Sequence, residues 1–262
     1  MTITQRNNTL LVLIGILLSI LIFLTLVPYI LYKITEIESG FLAYKKLFTP
    51  NYIFGFLLIL YATASLFFLR LLFYKTNSIE IFFFMLFLLS LVFEASRPLI
   101  LLFQELNSPF IYTVFLSRMA YFSKICGVFA LFVSALASSY LGINKFNTPV
   151  IIIVVLSFMF SSTIPLSDHA LNNSYYTPGF FNYFIFTLLF IEFLAVIIFV
   201  INYFQKRNNE YFYLAIGTML VVIGREITFY LVSIEYFAVG MALMIGGTIL
   251  FSNKLHEIYK WY

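Results

Sequence analysis

Long apolar runs separated by short polar stretches dominate the chain. A helix of about 20 apolar residues crosses the hydrocarbon core of a bilayer. The pattern predicts an all-α polytopic transmembrane helix bundle of about eight spans. They are placed at residues 10–32, 52–74, 79–103, 111–140, 149–165, 180–204, 211–232 and 236–252, within a single integral membrane domain covering 1–262. Ten-residue alternating segments, which would mark a transmembrane barrel, are missing. The first run reads as an uncleaved span, because Pro28 is followed by YILYKITEIESG, without a small-residue cleavage site. The last apolar region, Tyr211–Ser252, would be ~63 Å long as one helix, about twice a bilayer core, so it must divide. Its one polar break is Ser233-Ile234-Glu235-Tyr236. Polar loops are expected at Lys33–Asn51 and Leu166–Gly179. Two stripes of small residues offer close helix packing: Cys126, Ala130, Ser134 and Ser138, and the pair Gly240 and Gly247.

Composition agrees with this reading. The chain is 63% hydrophobic and 10% charged, against about 25% charged in a soluble domain. Charge then sets orientation. With the N-terminus inside, the cytoplasmic segments hold Arg6, Arg70, Lys75, Lys145, Lys206, Arg207, Lys254 and Lys260, and the outer segments hold Lys33, Lys45 and Lys46. That positive-inside bias predicts cytoplasmic termini, in a bacterial cytoplasmic (inner) membrane. The net charge of +4 is accounted for mainly by orientation, and no nucleic-acid partner is expected. Cys126 is the one cysteine, so no intramolecular disulfide can form.

Seven charged residues fall deep inside the spans, six or more residues from either end: Glu94, Arg97, Arg118, Lys124, Glu192, Arg225 and Glu226. At 1.5 Å per residue, Glu94, Lys124, Glu192, Arg225 and Glu226 lie ~18–23 Å from one end of their spans, near mid-membrane or slightly outward. Arg97 and Arg118 lie closer to the outer surface. An ionisable residue at such depth costs about 2.5–3.5 kcal/mol to insert, so it normally has a partner. The expected pairings set Glu94 or Glu226 against Lys124 or Arg225. Arg118 and Lys124 point about 120° apart on a helix, so both face one cluster only if their span is central. Pro98 removes a backbone donor and is expected to kink its helix beside Glu94 and Arg97. The layer reads either as a functional network or as a static clasp between helices.

Catalytic signatures are missing. There is no HExxH and no G-x-S-x-G. Asp168 is the sole aspartate, which excludes a paired-aspartate protease. Cys126 and Arg118 lack a histidine nearer than His169 for a Cys–His–Arg transpeptidase. No span contains a histidine, which excludes haem held by paired span histidines. Asp168 and His169 read as solvated loop residues, since a metal needs more ligands and His256 lies near the opposite surface. No enzyme activity, cofactor or metal is expected.

Spans two to eight form seven helices that start outside and end inside, and the chain leaves them through FSNKLHEIYKWY. Over about 52–262 this resembles the seven-helix membrane module of bacterial sensory receptors, in which a cytoplasmic signalling domain follows the last helix. Here the outer stretch is about 19 residues and the chain stops at Tyr262. The likeness carries over no site residue. It implies a sensor or signalling module, or an accessory subunit, that acts through a membrane or cytoplasmic protein partner. The alternative is a small transporter or channel that uses the charged layer as a path for a substrate, proton or ion. A membrane enzyme without a known motif is the third class.

Overall fold

The computed structural model describes residues 3–34, 50–74, 78–94, 96, 99–100, 103, 109–139, 147–172, 175–230 and 233–260. Eight helices lie among them: α1 (Ile3–Ile34), α2 (Pro50–Leu72), α3 (Ile79–Glu94), α4 (Phe110–Ser138), α5 (Asn147–Thr163), α6 (Phe181–Lys206), α7 (Asn209–Tyr230) and α8 (Ile234–Lys260). Five are long and apolar enough to cross a membrane: α2 over Ile53–Leu72, and α4, α6, α7 and α8. The apolar helix Asn147–Thr163 is shorter. Large apolar side chains such as Phe158, Phe186, Phe190 and Phe193 face outward. A surface of this kind suits lipid rather than water.

α4 packs against α3, α5 and α6, and α7 packs against α6 and α8. The apolar region 211–252 divides where its polar break lies, with α7 ending at Tyr230 and α8 starting at Ile234. Ser233 closes the turn: its carbonyl accepts the Phe237 N–H at 3.0 Å. α8 then continues past Ser252, through the polar-aromatic exit segment, to Lys260.

Between α5 and α6, where a polar loop was expected, the chain forms an antiparallel hairpin of β1 (Leu166–Asn172) and β2 (Tyr175–Pro178). Tyr176 and Tyr175 are buried. Thr113, Ser117 and Tyr121 recur every four residues along one face of α4 and receive β2. The Tyr121 hydroxyl donates to the Tyr176 carbonyl at 2.9 Å, and the Tyr176 N–H donates to Ser117 Oγ at 3.4 Å. The hairpin is thus a polar-backed plug seated on the bundle, and its tyrosines supply buried contact. Asp168 and His169 lie on β1. The expected first loop lies almost wholly outside the described residues.

α7 and α8 meet through four glycines. A Cβ on Gly224 would sit 2.6 Å from the Gly240 carbonyl oxygen, and one on Gly247 would sit 2.7 Å from the Gly217 carbonyl oxygen. Gly240 and Gly247 therefore do form a packing surface, and Gly224 and Gly217 complete it from α7. In lipid, where burial of apolar surface drives no association, such close backbone approach is a main source of helix–helix affinity. Gly224→Ala is expected to cost about 1–3 kcal/mol through overpacking. A lowered melting temperature in detergent, with helical content intact at low temperature, would register it.

The end of the bundle opposite the hairpin is tied by polar contacts. Ser78 starts α3, its Oγ accepting the Ile81 N–H at 3.3 Å. It also donates to Glu80 at 2.8 Å, and Glu80 receives the Tyr259 hydroxyl of α8 at 2.7 Å. Ser134 donates to the Glu80 carbonyl at 2.9 Å, and Asn202 donates to Ser138 at 2.6 Å. Two members of the small-residue stripe on α4 thus serve as hydroxyl ties to α3 and α6.

Candidate functional site

Five of the charged span residues converge toward the hairpin end of the bundle. Glu94 closes α3, Lys124 lies mid-α4, Glu192 lies mid-α6, and Arg225 and Glu226 lie on α7. The first four are fully buried. Arg225 Nε donates to Glu94 Oε1 at 3.0 Å, and Arg225 Nη2 bonds the same oxygen. Nη2 also donates to the Ser123 carbonyl at 3.0 Å, and the guanidinium lies over the Phe87 ring at 5.2 Å. Ser123 Oγ approaches Glu94 Oε1 at 3.4 Å. Arg225 therefore ties α7 to α3 and α4 through charge-assisted bonds, the strong class of hydrogen bond.

Lys124 forms the second pair, donating to Glu226 Oε1. Its ammonium also lies 5.0 Å from the Phe229 ring centroid and 5.4 Å from that of Tyr230. Phe229 stacks on Tyr175 of the hairpin at 5.5 Å. The pair thus sits in an aromatic enclosure whose outer wall is the plug.

Gly127 explains how a guanidinium fits at the crossing of three helices. A Cβ there would sit 2.7 Å from Ser90 Oγ and 2.8 Å from Arg225 Cζ. Only a residue without a side chain leaves that space.

α3 ends at Glu94, four residues before Pro98, which itself lies outside the described residues. In a continuing helix the Glu94 carbonyl would accept the N–H of residue 98, and proline has none. The Tyr175 hydroxyl donates to that carbonyl instead. Beyond the break, the Ile100 N–H donates to the Ser96 carbonyl at 3.1 Å. One tyrosine of the hairpin therefore satisfies a backbone group that the sequence itself leaves open. Tyr175→Phe is expected to cost about 1–3 kcal/mol, the penalty of an unsatisfied buried acceptor. Thermal melting in detergent measures the loss, and faster amide exchange around Ser96 should accompany it.

Glu192 differs from the other acids. Both its carboxylate oxygens are buried, and no donor among the described residues reaches either. Lys124, Glu226 and Arg225 are its electrostatic neighbours. The cluster thus holds three acids, Glu94, Glu192 and Glu226, against two bases, Lys124 and Arg225.

Arg118 stands apart. It is half-buried, its Nε has no partner among the described residues, and no ion pair there joins it to the cluster. Its offset from Lys124 around α4 accounts for this. Arg97 lies outside the described residues. The sequence reading missed Ser123, Gly127 and Tyr175. Gly127 adjoins the small-residue stripe, and Tyr175 belongs to a tyrosine pair inside a polar stretch; neither signal points to a charge partner. Glu80 was also overlooked, although Ser78 ahead of an apolar run is a helix-start signal.

Comparison with known proteins finds no matching family model, no matching curated protein and no matching solved structure.

Proposed function

We propose that this multi-pass membrane protein is a sensor or signalling module, or an accessory subunit, that acts through a protein partner, with the buried ion-pair cluster as its switch. The observation that carries the reading is the surplus acid. Lys124 bonds Glu226 while Glu192 stands beside it without a donor. A cation with two competing carboxylates has two arrangements, and a two-state element is what a switch needs. Tyr175 adds a coupling route, because it joins the hairpin to the carbonyl of Glu94, the residue that holds Arg225. The eight-span topology with both termini in the cytoplasm, and placement in a bacterial inner membrane, belong to the same proposal and rest on the positive-inside bias. So does the likeness to seven-helix receptor modules, which rests on topology alone.

The transporter or channel reading keeps one observation in its favour. The Glu226 side chain is 16% exposed, so the cluster touches the surface at one point. Against it, Glu94, Lys124, Glu192 and Arg225 are sealed, whereas a path needs access from both sides. Purification from native membranes under mild detergent separates the two readings. A stoichiometric protein partner, lost on disrupting the cluster, supports the signalling reading. Absence of such a partner together with ion or proton flux in liposomes overturns it.

A further inference from the structure

We infer that Glu192 is a proton-binding site: it takes a proton from solvent and holds it as a carboxylic acid that donates to Glu226, while Lys124 remains bonded to Glu226.

The argument starts from charge. Three carboxylates and two cations share one buried cluster. A third carboxylate left ionised there would be an uncompensated buried charge, which costs far more than binding a proton. Hydrogen bonding points the same way. Both Glu192 oxygens are buried without a donor, and the adjacent Glu226 carboxylate offers only acceptors. Two ionised carboxylates side by side repel, whereas one protonated acid supplies the missing O–H. Carboxyl pairs that share a proton are the known resolution of such contacts. Glu226 Oε1 already accepts from Lys124, and a carboxylate has lone pairs for a second donor.

The groups that face this site come from every packed element. α4 contributes Lys124 and Tyr121, α7 contributes Arg225, Glu226 and Tyr230, and β2 contributes Tyr175. α3 acts through Glu94, which holds Arg225 by Nε and Nη2, while the buried Nη1 of Arg225 has no partner among the described residues and Arg225 stays a charge neighbour of Glu192. Lys124 is the cation that bonds Glu226 and neighbours Glu192. Loss of the proton leaves the two carboxylates to compete for it, and this is the second arrangement of the switch. The inference names the ligand of the switch proposed above and rests on that reading for its biological meaning. Proton occupancy is read without any signalling assay, so a missing proton and a missing signalling role are separate results.

The test is infrared spectroscopy of the full-length protein in lipid nanodiscs across a pH series. The expected result is a protonated-carboxyl C=O band at neutral pH that is lost in Glu192→Gln, shifted in Glu226→Gln and unchanged in the exposed control Glu257→Gln. Glutamine mimics a protonated glutamate, so Glu192→Gln should fold as well as the parent. The native state would hold one more proton than the unfolded chain from the ordinary carboxyl range up to the pH at which Glu192 ionises, so the parent's melting temperature should fall across that interval and level off above it. That of Glu192→Gln should not share the fall. Four results would overturn the inference: no carboxyl band at neutral pH, a band that survives Glu192→Gln, failure of Glu192→Gln to fold, or a band that vanishes when sodium replaces choline at fixed pH. The last would assign the site to a cation.

Discussion

Replacing Arg225 by glutamine is expected to lower stability by about 3–5 kcal/mol, the cost of leaving a buried partner uncompensated. Glu94 would then keep its charge in a site with no exposure and no other cation on its carboxylate among the described residues. Glu94→Gln should be comparably harmful, because it strands the guanidinium. The double replacement should recover much of the loss, since two neutral amides can bond each other in the same space. Melting curves of the four proteins in one detergent give the coupling energy directly. Strict additivity would mean that the two side chains do not act as a pair.

The second large effect belongs to Gly127. Alanine there must displace Ser90 Oγ or the Arg225 guanidinium. The guanidinium is held by Glu94 and the Ser123 carbonyl, so moving it weakens three bonds at once. A loss of about 1–3 kcal/mol from overpacking is expected. The diagnostic feature is context: in the Glu94→Gln, Arg225→Gln background, where the charge pair is gone, Gly127→Ala should cost clearly less. An equal cost in both backgrounds would show that the glycine serves backbone packing only.

Much of this arrangement could be read before any coordinates. The all-helical, apolar architecture followed from apolar run lengths, and even the division of 211–252 followed from one polar break. Rise per residue put Glu94, Lys124, Glu192, Arg225 and Glu226 at similar depth, and the structure brings those five together. Which acid meets which base was not legible. Depth arithmetic fixes height along the membrane but not rotation about each helix axis. Rotation did predict that Arg118 and Lys124 would diverge, and they do. Tyr175 was hidden for a different reason. A short stretch rich in Asn, Ser and Tyr reads as loop, and nothing local says that it folds back as a hairpin. The clue lay 77 residues earlier in the numbering, at Pro98, which leaves the Glu94 carbonyl in need of a donor. Glu192 carried no sequence mark of being surplus. Its status appears only once both cations are seen bonded to other acids.

The stability effects above fit a clasp as well as a switch, and small-residue packing of the kind seen between α7 and α8 could join helices without charge. Function separates the two. The most direct measurement is rescue of a deletion strain by the Lys124→Gln, Glu226→Gln double mutant, with membrane insertion and melting temperature measured on the same protein. The account predicts a protein that inserts and folds near the parental level yet fails to restore the phenotype. Full restoration by that folded, uncharged pair would contradict it and reduce the cluster to a bond between helices.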